Sequence, residues 1–223
     1  MSKVKIKIDG REVEAEEGQA VLWAALDNGF FIPHLCACRQ IDYEPGSCRL
    51  CMVEVEGKPG PVPSCKLPVE EGMEITTRSE KIDRLVRTGF ELLMSNHRLN
   101  CKDCSANKNC ALQEIAKKRK VPLKSKRMVK LEPDREIDDS REDFGLDVNH
   151  CILCGRCVYV CNHVEKCRVL DFIKRGLKTV VGTFDGEPLS DQENCTGCLK
   201  CVEVCPVGAL YYKGDKQKTD VCS

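Results

Sequence analysis

The sequence predicts an α+β protein assembled from several small modules rather than one large domain. Three observations carry that expectation: alternating strand-like runs gather at the start of the 223-residue chain, two helical runs follow, and the last third holds an internal repeat. The 18 cysteines fall into separate blocks that follow the same division.

Residues 3–8 (Lys-Val-Lys-Ile-Lys-Ile) alternate strictly, Asp9-Gly10 supplies a hairpin turn, and residues 12–15 alternate again, which predicts a β-hairpin. Ala20, Val21, Ala24 and Ala25 then recur at helical spacing, with Gly29 as a stop, so residues 19–28 read as a helix. Strands are expected at residues 52–56 and 73–77, which gives a β-grasp order of hairpin, helix, cysteine loop and strand. From Glu80 to Asn96, Ile82, Leu85, Val86, Phe90 and Leu93 trace one helical face, and a second helix is expected over residues 111–120. Pro122, Pro133 and two opposed charge runs mark a linker or an extended surface strand. In the last block, the cysteines of Cys151–Cys161 match those of Cys195–Cys205 position for position, which predicts two pseudo-symmetric halves.

Charge and hydropathy exclude several classes. Lys+Arg and Asp+Glu both number 35, which argues against a general nucleic-acid binder. The basic run Lys117–Lys130 has no interleaved aromatics and is cancelled by the acidic run Glu132–Asp143, so a solvated linker or a subunit-docking surface is the better reading. The first ten residues have no signal-peptide core, and no window approaches 18 uninterrupted apolar residues. The cysteines are therefore read as belonging to a reducing, cytoplasmic protein, not to a disulfide scaffold.

Fifteen of the cysteines and one histidine form four sets. The last run, Cys195, Cys198, Cys201, Cys205 and then Pro206, is C-x2-C-x2-C-x3-C-P, the ligand pattern of bacterial-type ferredoxins. In two-cluster ferredoxins the fourth cysteine of each run serves the other cluster. Cys151, Cys154, Cys157 and Cys205 are thus expected to hold one [4Fe-4S] cluster, and Cys195, Cys198, Cys201 and Cys161 another. Asn162 stands where a proline often follows the fourth cysteine. The first set, Cys36, Cys48, Cys51 and Cys65, is spaced C-x11-C-x2-C-x13-C, which departs from the plant-type first gap of four residues. Zinc is the bland alternative, although zinc sites usually present two tight pairs. The remaining set is His97, Cys101, Cys104 and Cys110, a cysteine triplet without a fourth thiol that follows a histidine at a helix end.

The text Pro33-His-Leu-Cys36 with Gly46-Ser-Cys48-Arg-Leu-Cys51-Met-Val resembles the [2Fe-2S] domain of the complex I large subunit and of iron-only and NAD-linked hydrogenases. Asn96-His97 and Cys110-x-Leu-Gln resemble the His-ligated [4Fe-4S] domain of the same proteins. That resemblance implies residues 1–78 as a β-grasp [2Fe-2S] domain and 79–120 as a helical His-Cys [4Fe-4S] domain. It further implies 121–144 as a linker, 145–214 as a two-[4Fe-4S] ferredoxin-like domain and 215–223 as a polar tail. Cys38, Cys167 and Cys222 are left over; Cys38 could exchange with Cys36, and Cys167 is the alternative ligand of the final block.

The order of modules resembles the diaphorase small subunit of bidirectional NAD-linked hydrogenases. The resemblance implies a relay of single electrons between a flavin/NAD(P)-binding subunit and a catalytic subunit, most plainly a hydrogenase, with formate dehydrogenase or an electron-bifurcating complex as alternatives. The chain has neither G-x-G-x-x-G nor G-x4-G-K-[ST], and no catalytic residue is assigned. An enzyme with a catalytic cluster would leave one iron without a protein ligand, whereas each set here is full. With 5% aromatic and 31% charged residues, each module has a thin core. Clusters are expected to supply folding free energy, and the metal-free chain to fold poorly.

Overall fold

The computed structural model describes residues 2–131 and 134–214. Cys222, Glu132 and Pro133 and the segment read as a polar tail lie outside the described residues. The chain divides into two compact units, one comprising residues up to Arg39 with Glu44–Phe90, the other Gln40–Tyr43 with Glu91 onward.

The first unit is a mixed sheet carrying one helix. β1 (Lys3–Ile8) and β2 (Arg11–Glu16) pair antiparallel in the register Ile6 with Val13, and Asp9 and Gly10 turn with φ of 48° and 80°. Alternation puts Val4, Ile6 and Ile8 inside and three lysines outside, as period-2 geometry requires. α1 (Val21–Asp27) lies shorter than the expected span and ends before Gly29, whose φ of 80° only glycine adopts without penalty. β3 (Met52–Val55) and β5 (Glu74–Thr76) form as expected, and a two-residue β4 (Val62–Pro63) adds an edge that alternation could not reveal. The sheet order is β2-β1-β5-β3-β4, with β1 and β5 parallel and the other pairs antiparallel. This is the β-grasp arrangement, and its core joins Ile6, Ile8, Leu22, Val53 and Ile75 to Cys51 and Cys65.

α2 (Glu80–Ser95) runs across the boundary between the units. Its buried stripe is Ile82, Val86, Phe90 and Met94 at i, i+4 spacing; Leu85 is exposed, and Met94 was absent from the expected face. Ser79 caps the start by accepting from the Ile82 N–H at 3.2 Å.

In the second unit α3 (Ala111–Arg119) stops at Lys120, which takes the left-handed conformation. The charged segment that follows is extended and fastened. Arg127 pairs with Glu91, which is 1% exposed, Leu131 donates its N–H to Ser95 O at 2.8 Å, and Asp138 bridges Leu146. β6 (Phe144–Leu146) pairs with β9 (Leu210–Tyr212), bringing the two ends of the repeat together. α4 (Arg156–Tyr159) and α5 (Lys200–Glu203) are the equivalent helices of the two halves. A hairpin of β7 (Leu170–Ile173) and β8 (Val180–Thr183) separates them, an insertion the cysteine pattern did not reveal.

The repeat is visible in the backbone as well as in the cysteines. Leu153 and Gly197 occupy equivalent positions with φ of 54° and 66°, and Gly155 and Leu199 do so with 80° and 63°. Each half thus bends the chain left-handed at the same two places, although glycine occupies a different one in each. No helix among the described residues is long and apolar enough to cross a membrane.

Candidate metal centres

In the first unit, Cys36, Cys48, Cys51 and Cys65 are all buried. The loop from Cys36 returns through Gly46, with φ of 68°, and Arg49, with φ of 57°, and these bends turn the N–H of Cys48 onto Cys36 Sγ at 3.4 Å. A side chain at Gly46 would stand 3.2 Å from Lys66 Cγ and 4.0 Å from Cys65 Sγ, so the missing Cβ lets the backbone pass close to the sulfurs. The thiols form two pairs. Hydrogen bonding from Cys48 draws Cys36 down to about 5, and bonding from Cys65 draws Cys51 down to about 7, while Cys48 and Cys65 are raised by the same bonds. Holding all four sulfurs as thiolates at once requires a cationic centre among them. Cys38 is buried on the same loop.

In the second unit three small cavities each gather one expected donor set. His97, Cys101, Cys104 and Cys110 line one, with Gln113, His150 and Gly208 among its other walls. Cys151, Cys154, Cys157 and Cys205 line another, walled by Leu146, Ile152, Val181 and Leu210. Cys161, Cys195, Cys198 and Cys201 line a third, where Cys167 is a fifth thiol. The fourth cysteine of each run therefore lines the other run's cavity.

Burial raises the thiols of Cys104, Cys110, Cys157, Cys161 and Cys201, and pushes Cys151 up to about 12. Thiolates at these positions need a cationic centre. The donor chemistry suits iron-sulfur clusters, with soft thiolates and one imidazole at ferredoxin-type spacings. A mononuclear tetrahedral site would hold every donor about 2.0–2.3 Å from one point. A cluster offers a separate iron to each donor, so its ligands surround a cavity. Backbone N–H groups of Leu153 and Val169 also point at Cys151 Sγ and Cys161 Sγ, both at 3.4 Å, as hydrogen bonds that stabilise added negative charge on sulfur.

His97 is 5% exposed, and burial, reinforced by the neighbouring His150, holds it down to about 4, so its imidazole is neutral. Its Nδ1 lies 3.0 Å from the carbonyl oxygen of His150. A carbonyl only accepts, so Nδ1 carries the proton and Nε2 keeps its lone pair free for a metal. The carbonyl is presented by a 3₁₀ turn, Val148–His150, whose cap Asp147 accepts from the N–H of Asn149 at 2.9 Å. Burial draws the Asp147 carboxyl upward, but the His150 imidazole 2.8 Å away and the Asn149 bonds outweigh it and hold the group at about 2. Neither His150 nor Asp147 stood out in the sequence, because nothing in their spacing relates them to His97, some fifty residues earlier.

A β-grasp unit with four buried thiols and a pseudo-symmetric unit built round three cysteine-lined cavities define an iron-sulfur protein. Residues 1–80 match the family described as a 2Fe-2S iron-sulfur cluster binding domain, and residues 87–122 the NADH-ubiquinone oxidoreductase-G iron-sulfur binding region. Residues 144–211 match the ferredoxin-like domain of NADH-quinone oxidoreductase subunit 3. Among curated proteins, the chain is 37% identical to the NADP-reducing hydrogenase subunit HndD of Solidesulfovibrio fructosivorans, over 94% of this chain and 36% of the relative. It is 35% identical to the NADPH-Fe(3+) oxidoreductase subunit alpha of Geobacter sulfurreducens, over 94% of this chain and 24% of the relative. The chain thus spans only a minor part of these relatives' own length. A crystal structure of an NAD+-reducing [NiFe]-hydrogenase in the H2-reduced state superposes with a TM-score of 0.84 at 33% identity, covering 97% of this chain and 90% of that one. The chain belongs to the family of iron-sulfur electron-transfer subunits common to NAD-linked hydrogenases and complex I-type oxidoreductases.

Proposed function

We propose that the chain relays single electrons through one [2Fe-2S] and three [4Fe-4S] clusters, between a flavin/NAD(P)-binding subunit and a hydrogenase catalytic subunit in the cytoplasm. Cys36, Cys48, Cys51 and Cys65 hold the [2Fe-2S] cluster. His97, Cys101, Cys104 and Cys110 hold one [4Fe-4S] cluster, Cys151, Cys154, Cys157 and Cys205 the second, and Cys195, Cys198, Cys201 and Cys161 the third. The observation that carries this reading is that three cavities of the second unit are each lined by one complete donor set. The hydrogenase assignment is supported by the names of two of the similar proteins.

The clusters supply one-electron chemistry; the chain's residues set where and at what potential it happens. Neutral His97 replaces a thiolate, so the first shell of that site carries less negative charge and reduction there is less disfavoured. Fifteen cysteines and His97 fill the four sets, and Cys167 stays a bystander to the set formed by Cys161, Cys195, Cys198 and Cys201.

Anaerobically purified chain should carry about 14 irons, as one [2Fe-2S] and three [4Fe-4S] clusters require, and show separable electron paramagnetic resonance signals on redox titration. The isolated chain should reduce neither NAD nor protons, yet accept electrons from a chemical reductant. Turnover of either substrate by the isolated chain, or a clearly smaller iron count after full reconstitution, overturns the reading.

A further inference from the structure

The carbonyl that orients His97 belongs to the residue immediately before Cys151. His97 Nδ1–H donates to His150 O, and the same carbonyl carbon is bonded to the amide nitrogen of Cys151. His150 lines the cavity of the His97 set, while Cys151 lines the next cavity. On this path a single hydrogen bond is the one non-covalent step between a donor of one site and a donor of the other.

The hydrogen bond is held from several directions. Next to it, Arg98 N–H donates to Asn149 O at 2.9 Å, so residues 97–98 and 149–150 meet in two adjacent rungs. Asn149 is 1% exposed; its side chain accepts from Arg135 N at 2.9 Å and donates to Arg135 O at 2.9 Å and to Asp147 Oδ1 at 2.7 Å. His150 Nε2 lies 2.6 Å from Asn100 Oδ1. The two sites are also joined by their other donors. Ala111, the neighbour of Cys110, donates its N–H to the carbonyl of Pro206, the neighbour of Cys205, at 3.1 Å. Gly208 passes so close to Cys104 that a Cβ there would stand 2.5 Å from its Sγ.

We propose that the 147–151 turn is the electron bridge between the His97 site and the Cys151 site, with Asn149 and Asp147 as its positioning residues. The proposal rests on the ligand assignment given above. With clusters bound at both sites, the turn would carry one electron from one to the other, the donor oxidised and the acceptor reduced by one, with no bond made or broken and the proton kept on His97 Nδ1. Electronic coupling decays more slowly along bonds than across gaps, which favours a covalent path interrupted by one hydrogen bond; the His97–His150 bond, at 3.0 Å, is the shorter of the two such links, the Ala111–Pro206 bond being 3.1 Å.

The test uses the full chain with its clusters loaded, comparing wild type with Asn149→Ala and with His97→Cys, which keeps a donor but removes the Nδ1–H. Iron content, the nitrogen coupling of the imidazole in pulsed paramagnetic resonance, both midpoint potentials and the rate of electron redistribution after flash photoreduction are measured. Asn149→Ala should retain its iron, shift the nitrogen coupling and slow redistribution relative to wild type. In His97→Cys, redistribution should be comparably slower once the change in driving force is accounted for. Nitrogen coupling in the wild type together with unaltered rates in the variants overturns the bridge alone. Absence of nitrogen coupling in the wild type overturns the ligand assignment of His97, and the bridge with it.

Discussion

Gly155 shows how much a single position can be asked to do. Its φ is 80°, and a Cβ there would stand 2.5 Å from the Tyr43 hydroxyl and 3.3 Å from Phe172 Cζ. Tyr43 cannot simply move aside, because its ring stacks on Tyr159 at 4.5 Å. Gly155→Ala should therefore lower the thermal midpoint of the loaded protein and hasten iron loss, with about 1–2 kcal/mol from the left-handed backbone alone. Adding Tyr43→Phe should recover the steric part and leave the backbone part. Full recovery in the double variant would show that the backbone term is absent. The equivalent position in the other half, Leu199, bears the same left-handed conformation with a side chain, so the repeat tolerates that backbone strain there. The sequence showed that a glycine lay between two cysteines; it could not show Tyr43, more than a hundred residues away, closing over it.

Among the elements, α2 and the charged strap after α3 correct the pattern-based picture most. Periodicity placed α2 well, because a stripe at i, i+4 spacing is a property of the helix itself. It misjudged Leu85 and missed Met94, since the face a helix buries depends on what packs against it. The run Lys117–Lys130 read as solvated linker or docking surface, yet parts of it are internal fastenings: Arg119 is 6% exposed, and Arg127 neutralises Glu91. Arg127→Ala should destabilise the loaded protein by about 1–3 kcal/mol, because it removes the charge facing a buried carboxylate. Arg127→Ala combined with Glu91→Gln should cost less than Arg127→Ala alone. Thermal unfolding of the set checks this, and equal losses in the single and double variants would show that the pair carries no coupling. The β7–β8 hairpin was invisible to the cysteine pattern because metal-ligand spacing says nothing about what is inserted between runs.

Across the whole molecule, the two units should respond differently to iron removal. The first has a continuous apolar core of sheet and helix residues, whereas α4, even with the π-helical turn Val160–Val164 that continues it, and the four-residue α5 are too short to persist unaided. Chelation under reducing conditions should open the segment from Glu91 onward to proteolysis first, with the β-grasp unit persisting longer. Far-ultraviolet circular dichroism and mass mapping of the fragments check the order, and simultaneous loss of both units would contradict it. The sequence by itself determined the α+β class, the β-grasp order, the repeat and the candidate donor sets, the crossed pairing included, because alternation, helical period and cysteine spacing are local properties of the chain. The tertiary structure decided what walls each cavity, where Cys167 sits and what orients His97. Those depend on backbone groups and apolar walls brought together from distant segments, and a carbonyl oxygen, present in every residue, leaves no mark in a sequence.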